Sequence, residues 1–311
     1  MTIVAQPQTQ TPATILQTIE AELGATLIER TDTIRLALIA VVARQHMVIL
    51  GPPGTAKSNL INAIGAHVAT PAGGGLSRFI WLMTKSTTPD DLFGPVSVAA
   101  FKRDQYLRIT TNKLPEAQLV FLDEIFKSNS AILNALLTIT NERAFDNGPT
   151  RQTVPLISMF GASNELPQGD DLGALWDRFL VRDVVQYVSD GGFAKLIRLT
   201  NSALTTPTTI SEGDLLAAQV DAQSVQVPDD VLTGIEQLRR DLGSQGIVPS
   251  DRRWMQSFDA LRANAYLVGA DGDVALAMMG VTLQPVGAAP DPLDELELVS
   301  PPGAATATSE P

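Results

Sequence analysis

Apolar positions along the chain switch between two periods. Ile15, Leu16, Ile19 and Leu23 recur at helical spacing, as do the apolar residues of 33–44 and then Leu60, Ile61, Ile64 and Val68. Between them, Met47–Leu50 is a short unbroken apolar run, and similar runs return at Phe79–Leu82, Leu119–Leu122 and Leu156–Phe160. Runs this short, set among helical segments, predict buried strands of a parallel α/β sheet. Pro89 predicts a helix start capped by Thr87 or Thr88. Residues 129–141 predict a helix with Ile132, Leu133, Leu136 and Leu137 inward, and Leu172 to Arg178 a further helical turn. Asp146-Asn147-Gly148 predicts a turn between two short strands. Residues 96–114 alternate weakly and read as a solvated hairpin; their Lys102, Arg103, Arg108 and Lys113 could instead touch a substrate or a neighbouring subunit. After a hinge-like Asp190-Gly191-Gly192, two helical stripes follow: Val231, Leu232, Ile235, Leu238 and Leu242, then Met255, Phe258, Leu261 and Ala265.

The pattern therefore predicts a larger α/β unit over 13–188 and a smaller all-helical unit over 189–283. Residues 1–12 and 284–311 read as disordered, the latter with several prolines and acids and no basic residue. The 311 residues can bury a sizeable core, and 44% are hydrophobic. No apolar run approaches the roughly 18 residues of a spanning helix, and the polar N-terminus does not resemble a signal peptide. Cysteine is absent, which excludes thiol chemistry and disulfides and is compatible with a cytoplasmic location. A net charge of −12 argues against a general affinity for nucleic acid, while leaving room for a local basic groove.

Chemistry concentrates at the ends of the apolar runs. After Leu50 the chain breaks into Gly51-Pro52-Pro53-Gly54-Thr55-Ala56-Lys57-Ser58-Asn59 and then enters a helix. Such a loop turns backbone N–H groups around phosphate oxygens at the positive end of the helix dipole. Lys57 would reach the β- and γ-phosphates, and Ser58 would bind Mg²⁺. Ala56 stands where glycine is usual; the expectation is that it has negative φ. Asp123 and Glu124 end the strand at Leu119–Leu122, on the edge where α/β sheets bind ligands. Asp123 suits a Mg²⁺ held directly or through water, and Glu124 suits the base that polarises an attacking water. Asn164, closing the next strand, can bond that water or the γ-phosphate. Leu27 and Ile28 are candidates for walls of an adenine pocket, with plain core packing equally consistent. His46 and His67 are isolated, and nothing suggests a ligand or base role.

The order of Gly51–Ser58, Leu119–Glu124, Asn164, Arg178 and Ser250-Asp251-Arg252-Arg253 resembles an AAA+ ATPase. Phe93-Gly94-Pro95, Leu114-Pro115-Glu116-Ala117, Ala131–Leu137, Asn141-Glu142-Arg143 and Ala162–Pro167 narrow the resemblance to the MoxR family, nearest its RavA-like branch. The resemblance implies a P-loop core followed by a helical lid. Lys57 and Ser58 match Walker A, Asp123 and Glu124 Walker B, and Asn164 sensor 1. Arg178 matches the arginine finger that serves a neighbouring subunit, and Arg252 matches the lid's sensor 2, with Arg253 less favoured. Residues 84–115 match the helix-2 insert and 143–155 the pre-sensor-1 hairpin. ATP and Mg²⁺ are the implied cofactors. A ring, expected to be a hexamer, is the implied assembly, with a von Willebrand factor A-domain partner and a protein client. A monomeric P-loop phosphotransferase and a nucleic-acid motor are the alternatives.

Overall fold

The short apolar runs become strands, buried on both faces at Met47–Leu50, Leu119–Leu122 and Ser158–Phe160, while Phe79–Leu82 lies at the sheet edge with Ile80 and Leu82 exposed. The computed structural model describes residues 10–71, 73–167, 170–199 and 207–269. In chain order the elements are α1 (Pro12–Thr26), α2 (Thr31–Val42), β1 (Met47–Leu50), α3 (Lys57–Ala66), β2 (Val68–Ala69), β3 (Arg78–Leu82), α4 (Pro89–Phe93), α5 (Val98–Phe101) and β4 (Leu119–Asp123). There follow α6 (Ser130–Glu142), β5 (Ala144–Asn147), β6 (Thr150–Thr153), β7 (Ser158–Ser163), α7 (Asp170–Trp176), β8 (Val181–Val184), α8 (Asp190–Arg198), β9 (Ile210–Ser211), α9 (Glu212–Ser224), α10 (Asp229–Ser244) and α11 (Asp251–Val268).

Five strands form one parallel sheet in the order β3-β4-β7-β1-β8. Alternate residues feed two cores. Met47 and Ile49 of β1, with Leu119 and Phe121 of β4, face a core built with α1, α2 and α3. Val48 and Leu50, with Val120 and Leu122, face a second core with α4, α6 and α7. That two-sided burial is why these strands read as continuous hydrophobic runs. α9 and α11 add Leu215, Ala218, Ala222, Ala260, Ala263 and Leu267 to the first core, and α10 packs on α11 around Val231, Ile235 and Trp254.

Several expectations shift. α1 starts at Pro12, with Thr11 as its cap, so order begins inside the 1–12 segment; residues 1–9 and 270–311 lie outside the described residues. α2 is not amphipathic: Thr33, Ile34 and every residue from Ala37 to Val42 are buried, because it is wedged against β1, β8, α1, α9 and α11. The stripe of α10 loses Leu232, 38% exposed, and that of α11 loses Met255, 63% exposed. Trp254, one position earlier, takes the inward place in α11. The 96–114 stretch holds the short helix α5 and a single bridge, Val96 to Arg108, rather than a regular hairpin. Arg108 pairs with Asp90, and Lys113 donates to the Asp91 carbonyl at 2.9 Å, so two of its four bases brace α4. Thr88 and Asp91 form the capping box of α4, and β5 and β6 form the antiparallel hairpin around Asn147-Gly148.

Candidate active site

Because the strands are parallel, the segments after β1, β4 and β7 emerge at one sheet edge, and β7 lies between the other two. The loop Gly51–Ala56 turns by alternating backbone sign, with φ of 146° at Gly51, 82° at Gly54 and 65° at Ala56. Glycine is required at 51, where a Cβ would collide with the carbonyl oxygen of Val185. Ala56 contradicts the expectation of negative φ. It occupies the left-handed region as the residue that turns the loop into α3, where a side chain costs about 1–2 kcal/mol. Thr55 closes the loop through Oγ1 to the Pro52 carbonyl at 3.0 Å.

Lys57 is 8% exposed, and its ammonium donates to the carbonyls of Gly51 at 2.7 Å and Pro52 at 3.0 Å. Burial lowers its pKa, and Asp123 and Glu124 oppose that shift. The lysine thus lies inside the curl of the loop, facing both carboxylates electrostatically. Ser58 is half-buried in the first turn of α3, beside an exposed Asn59. Asp123 Oδ1 accepts from the Glu124 N–H at 3.0 Å. Among the described residues, no three His, Cys, Asp or Glu side chains group into a metal cage. One hydroxyl and one carboxylate with room for phosphate oxygens are the donors Mg²⁺ accepts, since it is usually held by one or two carboxylates plus substrate phosphates. Glu124 has φ of 54° and pairs with Lys127 at 3.2 Å. Asn164 is exposed directly beyond β7, between the loop and the two acids in strand order.

Arg178 stands elsewhere. It lies three residues before β8, whose first residue, Val181, pairs with Met47 at the start of β1. The phosphate loop leaves the other end of β1, about 13 Å away at roughly 3.3 Å per residue. Around Arg178 is a cluster that the sequence reading did not assemble. Asp177 accepts from Arg253 Nη1 at 2.8 Å through Oδ1 and lies 3.5 Å from Arg178 Nη1 through Oδ2. Arg182 stacks over the Trp176 ring at 4.1 Å; burial, with Arg253 nearby, pushes its pKa down to about 9, so it stays charged at neutral pH. Arg252 is exposed overall, and partial desolvation of its guanidinium, with Arg178 nearby, lowers its pKa. Four arginines therefore share one carboxylate, which leaves an excess of positive charge suited to an anion.

Two comparisons with known sequences bear on this layout. Residues 14–223 match a family model described as the MoxR domain in the MoxR-vWA-beta-propeller ternary systems. The chain belongs to the MoxR family of AAA+ ATPases. Residues 230–272 match an AAA lid domain. MJ0079 and MJ0812 of Methanocaldococcus jannaschii, both uncharacterised, are 43% and 42% identical over 82% and 83% of this chain. The chain spans 65% and 67% of their lengths. The crystal structure of a candidate ATPase from Cytophaga hutchinsonii superposes with a TM-score of 0.68 at 18% identity, covering 84% of this chain and 82% of that one; at this identity the likeness speaks for the fold.

In this MoxR chain the stretch matched to a lid domain takes in α10 and α11, and α11 carries Arg252 and Arg253 to the Arg178 end of the sheet. The sequence favoured Arg252 over Arg253 as the lid arginine; the two divide the position, Arg253 anchored on Asp177 and Arg252 at the surface. Leu27 and Ile28 are half-buried, and Leu27 packs on the first core. His46 is a satisfied core residue: Nε2 donates to the Thr140 carbonyl at 3.0 Å and Nδ1 accepts from Met159 N–H at 3.0 Å. His67 Nδ1 lies 2.6 Å from the Thr208 carbonyl. The sequence reading missed Asp177, Arg182, Lys127, Glu29 and Arg30. Only Asp177 carried a local signal, as the neighbour of Arg178. No described helix is long and apolar enough to cross a membrane.

Proposed function

We propose that the chain hydrolyses Mg²⁺-ATP at sites completed by a neighbouring copy, in a ring expected to hold six subunits. The cycle would remodel or mature a protein client in the cytoplasm. The observation that carries this reading is the separation of two half-sites. The phosphate loop, Asp123, Glu124 and Asn164 lie at one edge of the sheet, and the arginine cluster lies at the other. Arg178 cannot bend back to its own loop across the strand length between them. A neighbour's nucleotide is the anion that both explains the excess charge and needs it.

In this reading Gly51–Asn59 hold the phosphates, and Lys57 leaves the carbonyls of Gly51 and Pro52 to pair with phosphate oxygens. Ser58 and Asp123 hold the Mg²⁺, which neutralises charge on the transferring group. Glu124, drawn from Lys127, takes the proton of the attacking water, and Asn164 orients it. Leu27 and Ile28 wall the adenine. Arg178 and Arg252 stabilise charge on the γ-phosphate of the next subunit, with Arg253 and Asp177 fixing their backbone. Partners of von Willebrand factor A and β-propeller type are the expected company, because the matched domain is described from such systems. A monomeric phosphotransferase leaves the arginine cluster without a task, and a nucleic-acid motor sits poorly with a net charge of −12.

The test mixes two inactive variants. Arg178→Ala subunits keep Lys57 and Glu124, and Glu124→Gln subunits keep Arg178. A shared site returns part of the ATPase activity on mixing, because some interfaces pair an intact Glu124 with a donated Arg178. No recovery at any ratio would overturn the shared-site mechanism.

A further inference from the structure

The two residues before α2 divide their contacts, Arg30 inward to the phosphate loop and the segment after β8, Glu29 outward to the cap of α8. Arg30 is 8% exposed, and its guanidinium donates only to backbone carbonyls: Nε to Thr55 at 3.3 Å, Nη1 to Glu29 at 2.7 Å and Nη2 to Gln186 at 2.6 Å. Thr55 belongs to the phosphate loop, and Gln186 to the segment leaving β8. A buried guanidinium bonded this way fixes both strand exits, since releasing any carbonyl would strand a charged donor.

Glu29 takes the outward direction. Its φ of 55° is unusual for a residue with a side chain, and such conformations persist only where surrounding contacts hold them. Its carboxylate accepts from the Ser189 N–H at 2.8 Å and from Ser189 Oγ at 2.5 Å. Ser189 is the cap of α8, its Oγ accepting from Gly192 N–H at 3.2 Å. Gly192 is glycine for the same reason: a Cβ there would strike the Glu29 carboxylate and the Val188 side chain. The hydrogen bonds from Ser189 also hold the Glu29 carboxyl below the usual carboxylate range.

We propose that Glu29 and Arg30 form a positioning strut that couples phosphate occupancy of the Gly51–Ala56 loop to α8, the first helix after the sheet. The proposal rests on the nucleotide-binding reading above. Phosphate entry withdraws Lys57 from the Gly51 and Pro52 carbonyls and reshapes the loop around Thr55. Arg30 follows the Thr55 carbonyl, and Glu29, one peptide away, passes the displacement to Ser189. By linkage the effect is reciprocal: the position of α8 changes nucleotide affinity by the same factor. Neither residue touches the reacting atoms.

A plain capping role for Ser189 and a coupling role for the strut separate in hydrogen exchange. Asn and Asp cap helices about as well as Ser, but an aspartate at 189 repels Glu29 whereas an asparagine can still donate to it. Exchange at residues 190–198 is measured on the full chain with and without saturating MgADP, alongside the affinity for a fluorescent ADP. MgADP is expected to slow exchange in the native chain by at least about fivefold, the low end of site-to-site couplings. Glu29→Ala and Ser189→Asp lose that response while still binding ADP, and Ser189→Asn keeps it. If Glu29→Ala does not fold, the Ser189 pair decides alone. A native chain that binds ADP without any response in α8, or equal responses in Ser189→Asp and Ser189→Asn, overturns the strut. A native chain that binds no ADP defeats the nucleotide reading and the strut with it.

Discussion

Arg253, in the first turn of α11, donates to Asp177 at 2.8 Å, and Asp177 is the residue immediately before Arg178. The partners are separated by 76 positions in sequence. The contact fastens a lid helix to the sheet end that carries the finger candidate, so a movement of the lid is felt at Arg178 without passing through the nucleotide loop.

Removing that carboxylate should therefore have two separable effects. Asp177→Ala leaves Arg253, nearly buried, without its anion. Because Asp177 is itself 41% exposed and water screens the pair, the expected loss of stability is only about 1 kcal/mol in urea titrations. Turnover should fall more than ATP affinity does. A variant with native turnover would show that Asp177 does not set the arginines.

The chemistry prediction concerns Glu124. Glu124→Gln should bind ATP normally and hydrolyse it about 10²-fold more slowly or worse, as expected for loss of a general base. Lys57→Ala should instead weaken binding, since its ammonium is the buried cation of the loop. Isothermal titration and phosphate release distinguish the two; unchanged turnover in Glu124→Gln would remove it from the reaction.

Ala56 offers a stability test. Replacing it with glycine relieves the left-handed strain of about 1–2 kcal/mol but frees the unfolded chain by about 0.5–1 kcal/mol. The net expectation is a gain near 0.5 kcal/mol, read as a small rise in melting temperature. A clear loss would mean that the methyl group packs usefully.

Acid should destabilise the fold through His46. Buried and bonded as the neutral imidazole, its pKa is lowered from 6.5 to about 4, chiefly by desolvation. The unfolded chain then binds the proton first. The contribution is intact above pH 6.5 and is lost as pH falls from there to about 4. At about 1.4 kcal/mol per pKa unit the full effect is about 3 kcal/mol. Urea midpoints should fall over that window, and His46→Gln should flatten the slope between pH 6.5 and 4.5. Carboxylates held low by hydrogen bonds, Glu22 to Thr208 and Asp91 to Thr88, add further losses only below about pH 4.5.

The strands and the loop were legible because their signals are local. Leu119–Glu124 announces a buried strand with acids at its end in six consecutive residues, and Gly51–Ser58 does the same for the loop. The sign of φ at Ala56 was not legible, because it depends on how the loop must turn into α3. Nor was the depth of α2, which follows from the helices that cover it. The stripe of α11 slipped because Met255 and Trp254 are both large and apolar, and only the partner helix α10 selects which one turns inward. Asp177 with Arg253, and Glu29 with Ser189, are pairs made by the tertiary fold. Asp177 and Arg253 stood beside marked residues, but nothing in the sequence showed that they meet, and Glu29 and Ser189 carried no mark at all.

The direction of the sheet has one more consequence. All five strands run the same way, so the phosphate loop and the arginine cluster occupy opposite ends of the sheet. A two-fold dimer would set each copy's arginines on the other's loop and use up both ends within the pair. An assembly in which each copy gives its arginines to one neighbour and its loop to another is head-to-tail. It must either close on itself by rotation or continue as a helical filament, and the small tilt between neighbours decides which.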